Sequence, residues 1–155
     1  MRTLDDIDRH ILTELQTDGR LSNQDLADRV GLSPSPCLRR VRMLEDDNVI
    51  TGYRAEVDQR AVGLAITAFV QLTLDSHSSE TVDRVEEEIR SIPEVVEAYV
   101  LAGDHDYLLR VTTASFETYE DLMRRRLRRI PSLASIQTTF AFGVTKRISP
   151  LALRG

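Results

Sequence analysis

The chain has 155 residues, 41% hydrophobic and 29% charged, ordinary proportions for a soluble globular protein and enough chain for one medium domain or two small ones. Charge, Thr or Gln interrupts every apolar stretch within a few residues, which excludes a membrane-spanning helix, and the opening MRTLDDIDRH lacks the apolar core of a secretory signal. A single cysteine, Cys37, excludes a disulfide framework and a Cys-based zinc site, so the expectation is a cytoplasmic protein.

The net charge of -5 argues against a nucleic-acid partner until its distribution is read. Between Ser33 and Leu44 stand Arg39, Arg40 and Arg42 and no acid, while carboxylates crowd residues 5 to 8 and 45 to 47. Such a stripe on an acidic body still binds a phosphate backbone, because the opposing field decays within a Debye length of ~8–10 Å.

Residues 4 to 47 read as three short helices. Asp5 to Gln16 carries Ile7, Ile11, Leu12 and Leu15 at helical spacing, with Gly19 in the turn beyond. Ser22 is the expected N-cap of a second helix, whose face is Leu26, Ala27 and Val30 and whose closing residue is Gly31, suited to positive φ. The third opens on Ser33-Pro34-Ser35-Pro36, a hydroxyl cap followed by prolines in the first turn, and Asn48 closes it. This order is a helix-turn-helix. Val49 to Val57 reads as a short β segment interrupted at Gly52, and residues 58–64 as a linker.

The second half changes period. Ala65 to Leu74 alternates as a half-buried strand; Ser79 to Ile92 is an amphipathic helix ended by Pro93. Val95 to Ala102 and Tyr107 to Thr112 are strands joined by the turn Gly103-Asp104-His105-Asp106. Ser115 caps a helix with a stripe of Phe116, Tyr119, Met123, Leu127 and Ile130, stopped by Pro131, and Ser135 to Val144 is the last strand. The expected class is therefore α+β: a winged-helix-like helix-turn-helix domain at 1–57, the linker, a ferredoxin-like βαββαβ domain at 65–145, and a tail at 146–155.

On a wheel of about 100° per residue the third helix turns Cys37, Val41 and Leu44 to the core, and Ser35, Arg39 and Arg42 outward with Leu38 and Met43 at the margins. A face that is small near the helix N-terminus and cationic beyond it fits a major groove, so Ser33, Ser35, Leu38, Arg39, Arg40 and Arg42 are the candidate DNA contacts. Arg40, on the flank, suits a backbone phosphate or a structural ion pair rather than a base. An isolated arginine face is more often merely solvated; the preceding cap, turn and helix favour the functional reading. The run Arg124-Arg125-Arg126-Leu127-Arg128-Arg129 could serve as a second DNA contact, but such a run is more often a solvated helix face, here also complementing the macrodipole. Cys37 reads as a small core hydrophobe. His10, His77 and His105 share no metal-ligand spacing, so neither a metal nor a cofactor is expected. No HExxH, P-loop, GxSxG or Rossmann fingerprint is present.

Several of these residues carry a resemblance. Leu4-Asp5-x-x-Asp8, Asp18-Gly19-Arg20, Leu26-Ala27, Ser33-Pro34-x-Pro36, Arg40, Leu44-Glu45 and Ile50-x-Gly52-Tyr53 resemble the N-terminal half of the Lrp/AsnC (feast/famine) regulators. Gly103-Asp104-x-Asp106-Tyr107 is similar to the central turn of that family's sensing domain. Asn48 stands where the family usually has Gly, a substitution that the αL tolerance of Asn accommodates. The resemblance implies a regulator of transcription that binds double-stranded DNA, answers to a small-molecule effector such as an amino acid, and forms homodimers that assemble further, often to octamers. It also implies an effector pocket at a subunit interface, formed by Gly103, Asp104, His105, Asp106 and Tyr107 with Ser135, Gln137, Thr138 and Thr139 of the last strand. Carboxylates there suit an ammonium group, and backbone N–H groups around Gly103 suit a carboxylate. On the residues alone this turn is an ordinary polar hairpin. Two other readings stay open: a siroheme-decarboxylase-like enzyme of the same architecture, with His105 the only candidate haem-handling histidine in the loop, and an oligomeric DNA-binding protein without an effector.

Overall fold

The computed structural model describes residues 3–153. It divides into two compact units, Met1–Glu56 with Lys146–Gly155 and Val57–Thr145.

In the first unit, α1 (Asp6–Thr17) is opened by Asp5, whose carboxylate accepts from the Asp8 N–H at 2.8 Å while the Asp8 side chain accepts from the Asp5 N–H. α2 (Asn23–Val30) is capped by Ser22, which accepts from the Asp25 N–H, and ends at Gly31 with φ 70°. α3 (Pro34–Asp46) departs from the expected cap. Ser33 occupies the capping position, but its hydroxyl makes no capping bond. Pro36 stands where the usual N–H donor would be and has none to give. Asn23 Nδ2 donates to the Pro34 carbonyl at 2.9 Å, a link from α2 to the start of α3 that leaves the cap itself unmade. Asn48, at φ 54°, turns the chain out of α3, and the Val49 and Ile50 N–H groups both donate to the Leu44 carbonyl. Ile11, Leu12, Leu26, Ala27, Val30, Cys37 and Leu44 form the core, with Leu15, Val41, Ile50 and Leu153 packed against it.

Residues 49–57 form no strand. Their β-prone sequence finds no strand to pair with among the described residues of this unit, and an extended segment without a ladder partner stays irregular. Tyr53 bridges back, its ring against Gly19 and its hydroxyl donating to Glu45 Oε1 at 3.0 Å.

The second unit begins with an ordered turn. The Asp58 carboxylate accepts from the Arg60 and Ala61 N–H groups, and the Gln59 amide donates to the Leu64 carbonyl at 2.7 Å. There follow β1 (Ile66–Leu74), α4 (Ser79–Arg90), β2 (Val95–Val100), β3 (Tyr107–Thr113), α5 (Phe116–Arg125), a 3-10 turn (Leu127–Arg129) and β4 (Leu133–Ala141). The antiparallel sheet has the order β2-β3-β1-β4, the ferredoxin-like arrangement. One face carries Ala68, Val70, Leu72 and Leu74 of β1 and Leu109 and Val111 of β3, buried beneath Val85 and Ile89 of α4 and Tyr119 and Leu122 of α5. The helix at 116 does not continue to Ile130. It breaks at Arg126 and gives way to the tighter turn, which buries Leu127; within α5 itself Tyr119 and Leu122 are the buried residues, while Phe116 stays exposed, edge-on to Phe140. Along β1 the alternate residues Thr67, Phe69, Gln71 and Thr73 share the opposite face with Arg110, which pairs bidentately with Glu97.

Candidate nucleic-acid interface and ligand loop

α3 is laid down by its buried stripe. Cys37 and Leu44 are fully buried, which turns Ser35, Arg39 and Arg42 to solvent together with exposed Leu38 and Met43. Burial also pushes the Cys37 thiol up from its ordinary value, as befits a packing residue. Ser33 and Ser35 are exposed at the N-terminal end of the helix. Of the two roles left open for Arg40, the geometry supplies the ion pair. One guanidinium nitrogen donates to Asp5 Oδ2 at 2.7 Å and to Asp8 Oδ1 at 2.8 Å, and the Asp8 side chain is only 1% exposed. The Asp8 N–H, followed by Arg40, holds the Asp5 carboxyl below its usual range. Arg40 thus ties α3 to the first turn of α1, and Arg39 and Arg42 are the outward cations.

The β2–β3 loop is fixed from behind. The Asp106 N–H donates to the Leu72 carbonyl, and its own carbonyl accepts from Leu101. Its carboxylate accepts the Leu74 N–H at 2.7 Å and meets His77 Nε2 at 2.8 Å, and these contacts, in that order, hold its pKa below the ordinary value. His105 Nδ1 lies 3.0 Å from Thr73 Oγ1. Asp106 and His105 therefore staple the loop to the end of β1, and Tyr107 is buried beside Glu86 of α4. Gly103 and Asp104 remain exposed at the tip. Gly103 has no positive φ, and a Cβ added there would meet nothing within 4 Å, so neither backbone strain nor crowding within this chain calls for a glycine.

The four β4 candidates do not act as one group. Ser135 pairs with Thr73, at the loop's end of the sheet. Gln137 and Thr139 lie further along the open face, opposite Gln71 and Phe69. Thr138 lies opposite Val70 on the helix-covered face, where its hydroxyl meets that of Tyr119 at 2.5 Å. Among the described residues no three His, Cys, Asp or Glu side chains gather to hold a metal ion, and no helix is long and apolar enough to cross a membrane.

Comparison with known proteins gives this arrangement its relatives. The Lrp/AsnC ligand binding domain matches residues 67–151, and a winged helix-turn-helix DNA-binding domain matches residues 4–51. The chain belongs to the Lrp/AsnC family. It is 35% identical over 153 residues to the leucine-responsive regulatory protein of Klebsiella pneumoniae, covering 99% of this chain and 93% of that one. It is 41% identical over 141 residues to the Bkd operon transcriptional regulator of Pseudomonas aeruginosa, covering 91% and 92%. Among solved structures, a Neisseria meningitidis transcriptional regulator in complex with L-Met superposes with TM-score 0.90 at 32% identity, covering 97% of each chain. An AsnC family regulator from Agrobacterium tumefaciens also gives 0.90, at 38% identity over 96% of this chain and 97% of that one. These relatives are named as regulators of transcription, not as enzymes. The chain is accordingly a DNA-binding Lrp/AsnC transcriptional regulator with a ligand-binding domain, and the decarboxylase reading falls away.

Three residues that support these candidate sites in this Lrp/AsnC regulator escaped the sequence reading. Asp8 is the buried anchor of Arg40, which only the distant pairing of α1 with α3 reveals. Thr73 and His77, on and just beyond β1, hold the β2–β3 loop; they lie about thirty residues from it in the chain, and β1–β3 pairing brings them there.

Proposed function

We propose that this regulator reads a pseudo-palindromic DNA site as a homodimer and responds to a free amino acid bound at the β2–β3 loop, acting in the cytoplasm. In this reading the unit holding α1–α3 is the DNA-reading unit, and Val57–Thr145 senses the ligand and mediates assembly. Ser33, Ser35, Leu38, Arg39 and Arg42 face the major groove, with the two arginines taking guanine edges or phosphates, and Arg40 positions the helix. Two open sheet faces pack together and cover Phe69, which is 38% exposed in the single chain. Further association, to octamers in the larger form, brings the loop against another subunit. There Asp104 takes the ligand's ammonium, the N–H groups around Gly103 take its carboxylate, and Ser135 lines the near strand. His105, Asp106 and Tyr107 hold the loop in shape.

The supporting observation is the loop tip, stapled from behind and open in front, with a glycine that the chain's own geometry does not require. The L-Met held by the Neisseria relative and the leucine response in the name of the Klebsiella relative support the ligand class. Calorimetry with L-Met and L-Leu on the wild type, Asp104→Ala and Gly103→Val tests the reading. Binding is expected in the wild type and strongly weakened in both variants. Unchanged binding in both variants places the ligand elsewhere; heat from neither amino acid in the wild type refutes the ligand class.

A further inference from the structure

The segment that follows β4 returns to the α1–α3 unit, and one side chain receives it. Gln16, in the last turn of α1, donates through Nε2 to the Leu151 carbonyl at 3.3 Å and accepts the Leu151 N–H on Oε1 at 2.6 Å. Both polar ends of one amide thus grip both polar groups of one residue's backbone, a recognition of peptide rather than of side chain. Two residues on, Leu153 packs against the apolar cluster of α1, α2 and α3. The chain therefore contributes to this unit twice, up to Glu56 and again from Lys146, with all of Val57–Thr145 between the two contributions.

We propose that α1 carries a docking site for extended peptide, that its occupant is this chain's own segment 146–153, and that docking is coupled to DNA binding. One feature makes the segment a releasable strap, and a second couples it to α3. Gln16 is exposed and Leu151 is 76% exposed, so the grip rests on two neutral, water-accessible hydrogen bonds. Bonds of that kind shift an opening equilibrium by roughly 5- to 30-fold together, which is enough to bias a segment without locking it. The site also lies on the helix whose opening turn holds α3, through Asp5 and Asp8 on Arg40. A change in how α1 is held bears directly on the reading helix. The coupling rests on the DNA-reading role given to α3, whereas the docking site itself does not.

The test uses the full chain and a duplex selected by the wild type from a random-sequence pool. Hydrogen exchange is followed in residues 146–153 with and without duplex, beside duplex affinity, for the wild type, Gln16→Leu and Gln16→Glu. Gln16→Leu is expected to raise exchange in the segment roughly 5- to 30-fold and to weaken the duplex complex. Gln16→Glu, which keeps the acceptor and loses the donor, falls between. By reciprocity, duplex must change the segment's protection in the wild type and not in Gln16→Leu. Unchanged exchange in Gln16→Leu overturns the docking site. Faster exchange with wild-type duplex affinity overturns the coupling while leaving DNA reading by α3 intact. Protection that rises with protein concentration overturns the occupant, since the segment would then come from a second copy. Failure of the wild type to select any duplex refutes the DNA-reading assignment itself.

Discussion

Replacing Arg40 by Ala separates a structural arginine from the neighbours proposed to read DNA. The substitution removes two contacts of different worth. The pair with Asp5 is half-exposed, and solvent screening leaves such pairs little to contribute. The pair with Asp8 is another matter, because that carboxylate is 1% exposed and loses a charged donor at 2.8 Å. Breaking a fully buried pair costs about 3–5 kcal/mol, and the partial exposure of Arg40 lowers this to about 2–3 kcal/mol. The loss expected for the α1–α3 unit is thus about 3 kcal/mol, read as a drop in its urea midpoint at unchanged slope. The decisive control is a double-mutant cycle. In an Asp8→Asn background, where the buried charge is already gone, Arg40→Ala should cost under about 1 kcal/mol, leaving a coupling of about 2 kcal/mol. If Arg40→Ala costs the same in both backgrounds, or leaves stability unchanged and only weakens DNA binding, Arg40 is a phosphate contact and the reasoning fails.

Arg39→Ala should leave the urea midpoint unchanged and cost about 1–3 kcal/mol of DNA binding, with relaxed sequence preference; equal affinity and preference in gel shifts at several salt concentrations would remove α3 from the groove. Asp106 gives a pH signature. Its folded pKa lies below the ordinary 3.8, so the stability it contributes is complete above that value and is lost as pH falls through the lower folded value. Melting of the wild type should therefore drop more steeply on the acid side than that of Asp106→Asn; parallel curves would mean that the loop staple contributes nothing. Phe69→Asp should shift the protein toward monomer in light scattering at micromolar concentration, since it places a charge where two sheet faces are proposed to meet; an unchanged mass would point to another interface.

Local signals in the sequence carried the helical unit well. Ser22, Gly31 and Asn48 each do what their chemistry dictates, because caps and αL turns depend on residues two or three positions away. The Ser33 cap was misread although its refutation stood three residues on, in a proline without an N–H. Period two was sufficient to separate Thr138 from Gln137 and Thr139, which stand together in the pocket implied by the resemblance. Other features were not legible at all. Two aspartates flank one histidine in the β2–β3 loop, and nothing local tells the exposed Asp104 from the stapled Asp106; the difference comes from Leu74 and His77, delivered by strand pairing. Arg40 could not be assigned to a phosphate or a carboxylate while Asp8, 32 residues away, had no place in space.

The return of the segment after β4 also alters the charge of the unit that it joins. Residues 1–56 carry eleven acids and eight bases, a balance of three negative charges. Lys146, Arg147 and Arg154 bring three positive charges and no acid, so with Lys146–Gly155 included the unit is neutral, and the whole -5 of the chain resides in Val57–Thr145. A phosphate backbone approaching α3 meets a unit of less negative charge while the segment, with Lys146 and Arg147, is docked. It meets a repelling one when the segment is carried more than about 8 Å away, beyond the reach of its field at physiological salt. Docking thus relieves the net electrostatic repulsion of DNA by this unit, and the association rate at low ionic strength becomes a gauge of where the segment lies.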